Sequence, residues 1–304
     1  MRQLLKKEEG NSFLLMALGL MLALGMLGLV VDGGYLYMTK SHMQKTANAA
    51  ALSGAQELPN SSEKVNQVVG EILNHHGESD SLLFSNIEGE NQLHVGVGRE
   101  VPLFFSSLFG IDSVMIGADA KAGLHAMTAG VGVVPLGLDE SVEINYEDPE
   151  PHKLKVGAGD SETGNFGILA LEGPGGKLYS EALMHGFDGE LKVGEIIKTQ
   201  TGNIAGKTEA GVTHRMDNCP YPDGDYQQRD CARIMLIPVY KALDDGGNQV
   251  KRVEITGFAY FYLTEQTDGD ADSIEGIFIR RAGPGESDAE APLDRGAYTI
   301  KLTR

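Results

Sequence analysis

The sequence predicts an α+β protein in which an N-terminal transmembrane helix extends into a long exported helix, followed by a small α/β unit and a β-rich C-terminal domain. Phe13–Val31 is an uncharged apolar run, and small residues then recur at helical spacing as far as Leu58. From Gly130 onward, strand-like runs alternate with Gly, Asp and Pro clusters. The predicted segments are a cytoplasmic N-terminus (1–12), a span (13–31), a helix plus α/β unit (32–127) and a β-rich domain (131–304).

The apolar run is long enough to cross a bilayer. A helix of nineteen residues spans roughly 30 Å, the thickness of the hydrocarbon core. A cleaved secretory signal is the alternative, because Met1–Lys7 is basic, but a signal's apolar region is shorter and is closed at once by small residues. Here the first Ala-x-Ala sequence after the run begins only at Ala47. We therefore expect the helix to be retained as an anchor.

The charges around the run predict its orientation. Arg2, Lys6 and Lys7 precede it, and no Lys or Arg comes after it until Lys40. The positive-inside rule then places the N-terminus in the cytoplasm and residues 33–304 outside the cytoplasmic membrane, in the periplasm or at the cell surface. The lipid bilayer is accordingly a predicted partner.

Beyond the run the helix is predicted to continue. Its Ala-rich sequence has high helix propensity, and its small residues permit close helix packing. Gly33-Gly34 allows a kink, and Pro59-Asn60 is expected to end the helix. The predicted apolar stripe consists of Leu36, Met43, Ala47, Ala50, Gly54 and Leu58.

An unusual order of residues runs through this segment: Gly, an apolar span, Val-Asp-Gly-Gly, Tyr, and then Gln-Lys-Thr-Ala-Asn-Ala-Ala-Ala-Leu-Ser-Gly-Ala. In this it resembles the N-terminal segment, here about residues 10–58, of TadE/TadG-like proteins of Flp (tight-adherence) pilus assembly. The resemblance implies a membrane-anchored structural or assembly component of a Tad (Flp) type IV pilus or related secretion apparatus. The implied partners are other pilus-assembly membrane proteins or pilins. The motif positions are Gly10, Asp32, Gly33, Gln44, Ala47, Ala50, Ala51 and Gly54.

One position departs from the processed members of that family. Pilin-like relatives are cut after a Gly equivalent to Gly10, and their peptidase prefers Glu at the fifth residue beyond, where this chain has Leu15. A leucine there also spares the helix the cost of a carboxylate in hydrocarbon. We therefore expect an uncut TadG-like anchor that keeps Met1–Gly10, rather than a TadE-like pseudopilin.

Residues 61–127 are predicted to form one small α/β unit on which the long helix packs. Its order, helix–strand–strand–helix–strand, is similar to that of the region after the N-terminal segment in TadE/TadG relatives. Pro102 is expected in the first turn of the second, short helix, where a missing N–H is tolerated. The predicted elements are a helix from Ser61 to Gly77, strands Ser81–Glu88 and Gln92–Arg99 around the turn Gly89-Glu90-Asn91, a helix Val101–Phe109, and a strand Val114–Leu124.

The C-terminal domain is predicted to be mainly β, with Asp244-Asp245-Gly246-Gly247-Asn248 as a strong turn signal and Gly283–Asp294 as a long loop. Two helices are predicted, Gly176–Gly186 and Asn203–Met216. The predicted strands are Val142–Tyr146, Lys153–Val156, Gly167–Leu171, Glu190–Ile197, Arg233–Tyr240, Val250–Leu263, Ile274–Arg281 and Ala297–Leu302.

Charge and motif spacing argue against catalysis and nucleotide chemistry. With a net charge of −18 the surface repels nucleic acid, so none is an expected partner. Leu169–Lys177 lacks the first Gly and the final Ser or Thr of a phosphate-binding loop, so no nucleotide is expected. Gly159–Gly164 is one residue too long for a nucleophile elbow, and the candidate bases His152, His185 and His214 have no motif around them. We expect neither an enzyme nor a cofactor.

Two features of the C-terminal domain remain as candidate sites. Asp268, Asp270 and Asp272 alternate as at the start of a Ca²⁺ loop, but Ser273 and Ile279 stand where such a loop needs Gly and Glu. An acidic hairpin tip is the simpler interpretation. Cys219 and Cys231, the only cysteines, lie twelve positions apart in an exported domain and are predicted to form a disulfide.

A function of another class stays open at this point. The chain is alternatively an exported ligand- or wall-binding module that uses a TadE/TadG-like anchor for surface display. The β-rich domain would then carry the activity, and the anchor would only hold it outside the membrane.

Overall fold

The computed structural model describes residues 9–147, 151–155, 166–200, 205–221, 226–243, 250–265, 273–288 and 293–303. They divide into two compact units. The first unit contains the chain up to Gly54, Glu63–Ala122 and the last residues from Leu302. The second contains Ala55–Ser62 and Gly123–Lys301.

The first unit is organised around α1, an unbroken helix from Glu9 to Ala55. Its 47 residues give it a length of about 70 Å. Gly33-Gly34 does not interrupt it. The helix ends four residues before Pro59, in a turn where the Leu58 N–H donates to the Ala55 carbonyl, so the predicted end at Pro59-Asn60 is slightly late.

The two halves of α1 have different surroundings. Apart from Gly25, every residue from Ser12 to Leu27 is exposed, whereas Met43, Ala47 and Ala50 are fully buried. Within the described residues, α1 is one helix long and apolar enough to cross a membrane. A helix at the core of a soluble protein would bury these leucines and methionines, so the exposed half fits a lipid environment.

The rest of the first unit has the predicted order. The elements are α2 (Ser62–His75), β1 (Leu82–Glu88), β2 (Gln92–Pro102), a 3-10 helix (Ser106–Phe109) and β3 (Ser113–Ala126). Gly77 follows the end of α2 at a positive φ of 69°, and Gly89 opens the hairpin turn at 63°. The strands lie in the order β1-β2-β3, and Leu93, Val95 and Val97 of β2 are buried.

Pro102 is placed differently from the prediction. It is the last residue of β2, and the short helix begins four residues later as one turn of 3-10 helix. Proline is tolerated at a strand end, where its missing N–H interrupts no further ladder bond. The segment Val101–Phe109 therefore contains a short helix as predicted, but its first half is strand and loop.

The second unit has many short strands and two helices. The strands are β4 (Ala129–Val131), β5 (Leu136–Asp139), β6 (His152–Lys155), β7 (Phe166–Ile168), β8 (Glu190–Lys192), β9 (Ile196–Lys198), β10 (Ile234–Ala242), β11 (Arg252–Glu265), β12 (Ser273–Ile279), β13 (Arg281–Ala282), β14 (Gly285–Glu286) and β15 (Ala297–Thr303). The helices are α3 (Gly176–His185) and α4 (Ala205–Asp217). The largest sheet has the order β6-β12-β11-β10-β5-β7, with β9 paired to β11, and a small sheet has the order β14-β4-β8.

Aromatic side chains fill the core of this unit. Phe258, Phe261, Tyr262 and Phe278 are almost completely buried on β11 and β12. The rings of Phe261 and Phe278 meet edge to face at 5.1 Å, a favoured arrangement. The described part of the chain thus contains the predicted β-rich domain, while the turn predicted at 244–248 lies outside it.

Two predicted strands of this unit are wrong in detail. Val142–Tyr146 is not a strand, although Val142, Ile144 and Tyr146 do pack on the core. The Asp139 carboxylate accepts from the N–H and hydroxyl of Ser141, and such local side-chain bonds compete with strand pairing. Glu190–Ile197 forms two strands, β8 and β9, because Gly194 turns the chain at a φ of 87°.

Three short strands, β4, β5 and β14, had no prediction. Their lengths of two to four residues are too small for an alternating pattern to register. The predicted long loop Gly283–Asp294 accordingly contains β14.

Candidate functional site

The carboxylate of Asp32 joins the outer end of the apolar helix to the α/β unit. Only 3% of this residue is exposed. Its Oδ1 accepts the N–H of Phe104 at 3.0 Å, and its Oδ2 accepts the N–H groups of Phe105 at 3.0 Å and Ser106 at 2.7 Å. The Ser106 hydroxyl donates to the same oxygen at 2.8 Å. We call these contacts the Asp32 clasp.

The clasp provides a hydrogen-bond acceptor, from another element of the fold, for the backbone N–H groups at the start of the 3-10 helix. The first N–H groups of a helix have no partner within it, and a carboxylate is a favoured acceptor there. Usually the residue just before the helix supplies this group. Here that residue is Phe105, which has no polar side chain, and a carboxylate more than seventy positions earlier in the chain replaces it.

Packing beside the clasp depends on a glycine inside the apolar run. The ring of Phe105 lies directly on Gly28, where an added Cβ would come within 2.5 Å of the ring atom Cδ1. One helical turn beyond Asp32, the rings of Tyr35 and Phe104 lie 5.9 Å apart. The loop before the 3-10 helix therefore contacts α1 both below and above Asp32.

Further along α1, polar side chains bind the backbone of β3. The Gln44 side chain donates to the Asp119 carbonyl at 2.8 Å and to Asn48 Oδ1 at 3.1 Å. The Lys40 ammonium donates to the Gly117 carbonyl. Gln44 is a predicted motif position, and the structure gives it a role in fixing the helix on the sheet.

Small residues bring α1 close to its neighbours. Ala47, Ala50 and Ala51 are completely buried. A Cβ added at Gly54 would lie 2.6 Å from Leu93 Cδ2 and 2.7 Å from Val69 Cγ2. Glycine at this position thus permits contact with β2 and α2 at once.

A second buried acid had no sequence prediction. The side chain of Glu78 is 3% exposed and binds Arg99 at 2.8 Å and His42 at 3.3 Å, which joins α1, the end of α2 and β2. No local sequence pattern could have predicted this cluster, because its three residues lie far apart in the sequence. The Phe104–Ser106 contact was missed for the same reason.

The remaining motif positions have less defined roles. Gly10 lies in the first turn of α1. Gly33 is exposed, with no atom near the position of a Cβ. Six of the eight predicted motif residues, Asp32, Gln44, Ala47, Ala50, Ala51 and Gly54, are therefore brought to one face of the same helix, where they contact the α/β unit or are buried beside it.

In the second unit the predicted disulfide is present. Cys219 and Cys231 are bonded, with Cα atoms 4.7 Å apart. Asp268, Asp270 and Asp272 lie outside the described residues, as does Gly159–Gly164. Among the residues that are described, no group of three His, Cys, Asp or Glu side chains is placed to hold a metal ion.

The histidines considered as bases are found against other rings. His185 and His214 stack edge to face at 4.8 Å, one on α3 and the other on α4. His152 packs against Phe278 at 5.1 Å. These ring contacts indicate that the three histidines contribute to side-chain packing within the second unit.

Arg215 is a buried cation that sequence reasoning missed. From α4 it donates to the carbonyls of Leu183, Ala232 and Ile234, and so connects α3 to the chain between Cys231 and β10. Burial lowers the pKa of its guanidinium to about 10. Its partners are backbone carbonyls at element ends, which gives it a structural role.

One cavity of the second unit bears on the ligand-binding alternative. It measures about 150 Å³ and is lined in part by Asn60, Tyr146, Tyr226 and Arg280. Arg280 lies over the Tyr146 ring at 5.1 Å, so its charge is already engaged. Pockets for small ligands are typically about 300 Å³ or larger, and this cavity gives that alternative little support.

The exposed apolar helix and the α/β unit bound to it indicate a membrane-anchored protein, and the described residues contain one candidate span. Residues 10–57 match the Tad family, described as Flp pilus-assembly TadE/G-like. The match covers α1 from its second residue and the two residues after it, and it indicates a membrane protein associated with the Tad pilus. No curated protein and no solved structure matches the chain.

Proposed function

We propose that this protein is a membrane-anchored structural or assembly component of a Tad (Flp) type IV pilus or related secretion apparatus. In this role α1 holds the chain in the cytoplasmic membrane and presents the acidic, β-rich second unit outside. The observation that carries the proposal is that the matched segment coincides with α1. The matched residues beyond the span are those that fix the α/β unit on this helix.

The proposed topology has the N-terminus in the cytoplasm. Basic residues precede the span and none comes after it until Lys40, about two turns beyond its end, in accordance with the positive-inside rule. Protease added to spheroplasts should then remove residues 33–304 and spare an N-terminal tag. A C-terminal unit protected under these conditions, but cleaved after the membrane is opened, would contradict this orientation.

The anchor is proposed to keep its N-terminal residues. Leu15 leaves the span without a carboxylate, so the helix is stable in lipid without a filament neighbour to neutralise it. N-terminal sequencing of membrane-extracted protein should find Met1. A mature chain that begins at Asn11 would instead support a processed pseudopilin.

The direct test of the function is deletion of the gene, with surface pili counted and measured by electron microscopy. We expect pili to be lost or reduced and to be restored by the wild-type gene. Restoration should fail with Asp32→Ala, whose level in the membrane is checked by immunoblotting. Pili unchanged in number and length after deletion would refute the proposal, and loss of cell-wall binding in the same strain would support the display alternative.

A further inference from the structure

The segment Phe104–Ile111, here called the apolar loop, exposes large apolar side chains. Phe104, Leu108, Phe109 and Ile111 are between 52% and 79% exposed. The sequence has no charged residue between Glu100 and Asp112. Contiguous exposed apolar surface of this kind usually marks contact with a protein or a membrane.

The apolar loop lies at the depth where the span ends. Phe105 packs on Gly28, three residues before the end of the apolar run at Val31. At about 1.5 Å per residue this contact lies roughly 4.5 Å inside the run. Tyr35 and Tyr37, on the next turn of α1, are residues typical of the membrane–water interface. The loop is thus continuous with the lipid-facing surface of the helix.

Most backbone N–H groups of the apolar loop donate hydrogen bonds within the protein. In hydrocarbon, every N–H group needs a partner within the protein. The Asp32 clasp supplies partners for residues 104–106, the Leu103 N–H donates to Asp112, and the Gly110 and Ile111 N–H groups donate to Ser107 and Ser106. This pairing allows the loop to leave bulk water without unpaired N–H groups at these positions.

We propose that the apolar loop is a second membrane contact, which enters the interfacial region of the leaflet on the side of the α/β unit. Its occupant is lipid, because the apolar surface begins where the lipid-facing helix ends. The inference requires α1 to span a bilayer but is independent of any role in a pilus. A gene deletion that left pili unchanged would therefore not bear on the depth of this loop in a bilayer.

The chain contains no tryptophan, so a single introduced Trp reports one position. Leu108→Trp is placed in the full-length chain and reconstituted into phosphatidylcholine vesicles with bromine near the headgroup or deep in the acyl chains. We expect blue-shifted emission that falls about twofold with headgroup-proximal bromine and less with deep bromine, as for an aromatic ring at the interface.

Two reference variants calibrate the bromine quenching, one for the middle of the bilayer and one for water. Leu22→Trp, at an exposed position in the middle of the apolar run, should be quenched most by deep bromine. Glu90→Trp lies in the hairpin turn at the opposite end of β2, roughly 35 Å away along the strand, and should emit as in water without bromine quenching.

Three outcomes would overturn the proposal. The first is quenching of Leu108→Trp no greater than that of Glu90→Trp. The second is blue-shifted emission that bromine does not quench, because the loop would then be covered by protein, such as a second copy of the chain. The third is a Leu22→Trp variant that bromine does not quench, because α1 would then lie outside the bilayer.

Asp32 gives a test of the role of the clasp. Asp32→Ala, combined with Leu108→Trp, removes the acceptor of three backbone N–H groups, and these groups are then costly to keep in lipid. We expect the bromine quenching of Leu108→Trp to fall toward that of Glu90→Trp, with Asp32→Asn between the two. Unchanged quenching in Asp32→Ala would refute the clasp as the group that allows the loop into the membrane.

Discussion

Along α1 the first unit is packed with small residues, whereas the second unit is filled with aromatic rings. Ala47, Ala50 and Gly54 let neighbouring residues approach the helix closely, while Phe261 and Phe278 pack in one core cluster with side chains of α3 and α4. The difference in side-chain size follows from the elements that each core joins. A helix held against a sheet over several turns needs close contact, whereas a sheet of seven strands needs volume.

The comparison predicts that the two units respond to opposite kinds of substitution. Added atoms should be costly on α1, and removed atoms should be costly in the second unit. Substitutions in both units test this expectation through the free energy of unfolding of the full-length chain in detergent micelles, and their expected effects decrease from the aromatic core to the exposed hairpin.

The largest effect is expected for Phe261→Ala. The ring is fully buried, and its removal leaves a cavity, so the free energy of unfolding should fall by about 3–5 kcal/mol. Urea unfolding monitored by the near-ultraviolet circular dichroism of the tyrosines measures this. Phe104→Ala, at a 62% exposed ring, is the control and should leave the second unit's transition in place. A loss below about 1 kcal/mol for Phe261→Ala would contradict the aromatic core.

Removal of the disulfide should come next. The bond closes a loop of twelve positions, and its loss in a Cys219→Ser/Cys231→Ser variant should cost about 3 kcal/mol by the chain-entropy estimate. The effect should be confined to the second unit, so amide exchange in α2 should not change. Titration of two free thiols in the folded, unreduced protein would contradict the bond itself.

Two glycines of α1 should respond in opposite directions. Gly54→Ala forces a Cβ against Leu93 and Val69, and this overpacking should outweigh the gain in helix propensity, for a net loss of about 1–2 kcal/mol. Gly33→Ala meets no neighbouring atom and should be neutral or stabilising by up to about 1 kcal/mol. Equal effects on urea unfolding would show that close packing does not hold α1.

The smallest effect is expected for Glu88→Gln, on the exposed hairpin. A hydrogen bond from Lys121 at 2.7 Å lowers the pKa of Glu88, and its other partner is His94. A depressed carboxylate pKa stabilises the folded state above the unfolded value of 4.5, and this contribution is lost as pH falls through the folded value.

Wild type and Glu88→Gln should therefore have the same urea midpoint once the pH is below the folded pKa of Glu88, and the variant should be slightly less stable at pH 7. Lys121→Met removes the other partner of the same ion pair, so it is the matched control and should reproduce the small loss at pH 7. A midpoint difference that grows on acidification would have the wrong sign for this pair.

Local sequence signals predicted much of the fold. Helix α2 has an apolar stripe, a polar start and a glycine end, and the β1–β2 hairpin has alternation around a Gly-containing turn. The cysteine pair needed only its spacing and compartment. Each of these features lies within some twenty consecutive residues, where periodicity and turn chemistry act directly.

The candidate site was only half predictable. The resemblance singled out Asp32 and Gly54, but their partners Phe104–Ser106, Leu93 and Val69 are specified by the tertiary fold. Val142–Tyr146 shows the converse. Its alternating apolar residues do face the core, yet the hydrogen bonds that Ser141 donates to the Asp139 carboxylate compete with strand pairing.

The absence of a break in α1 has a mechanical consequence. A helix that continues from the apolar run through Gly33-Gly34 to Ala55 has no hinge at the membrane surface. The Asp32 clasp and the Gln44 bond attach the α/β unit to this rod at points more than two turns apart. Torque applied to the helix within the bilayer therefore turns the attached unit as well, and a pull on that unit loads the whole rod along its axis.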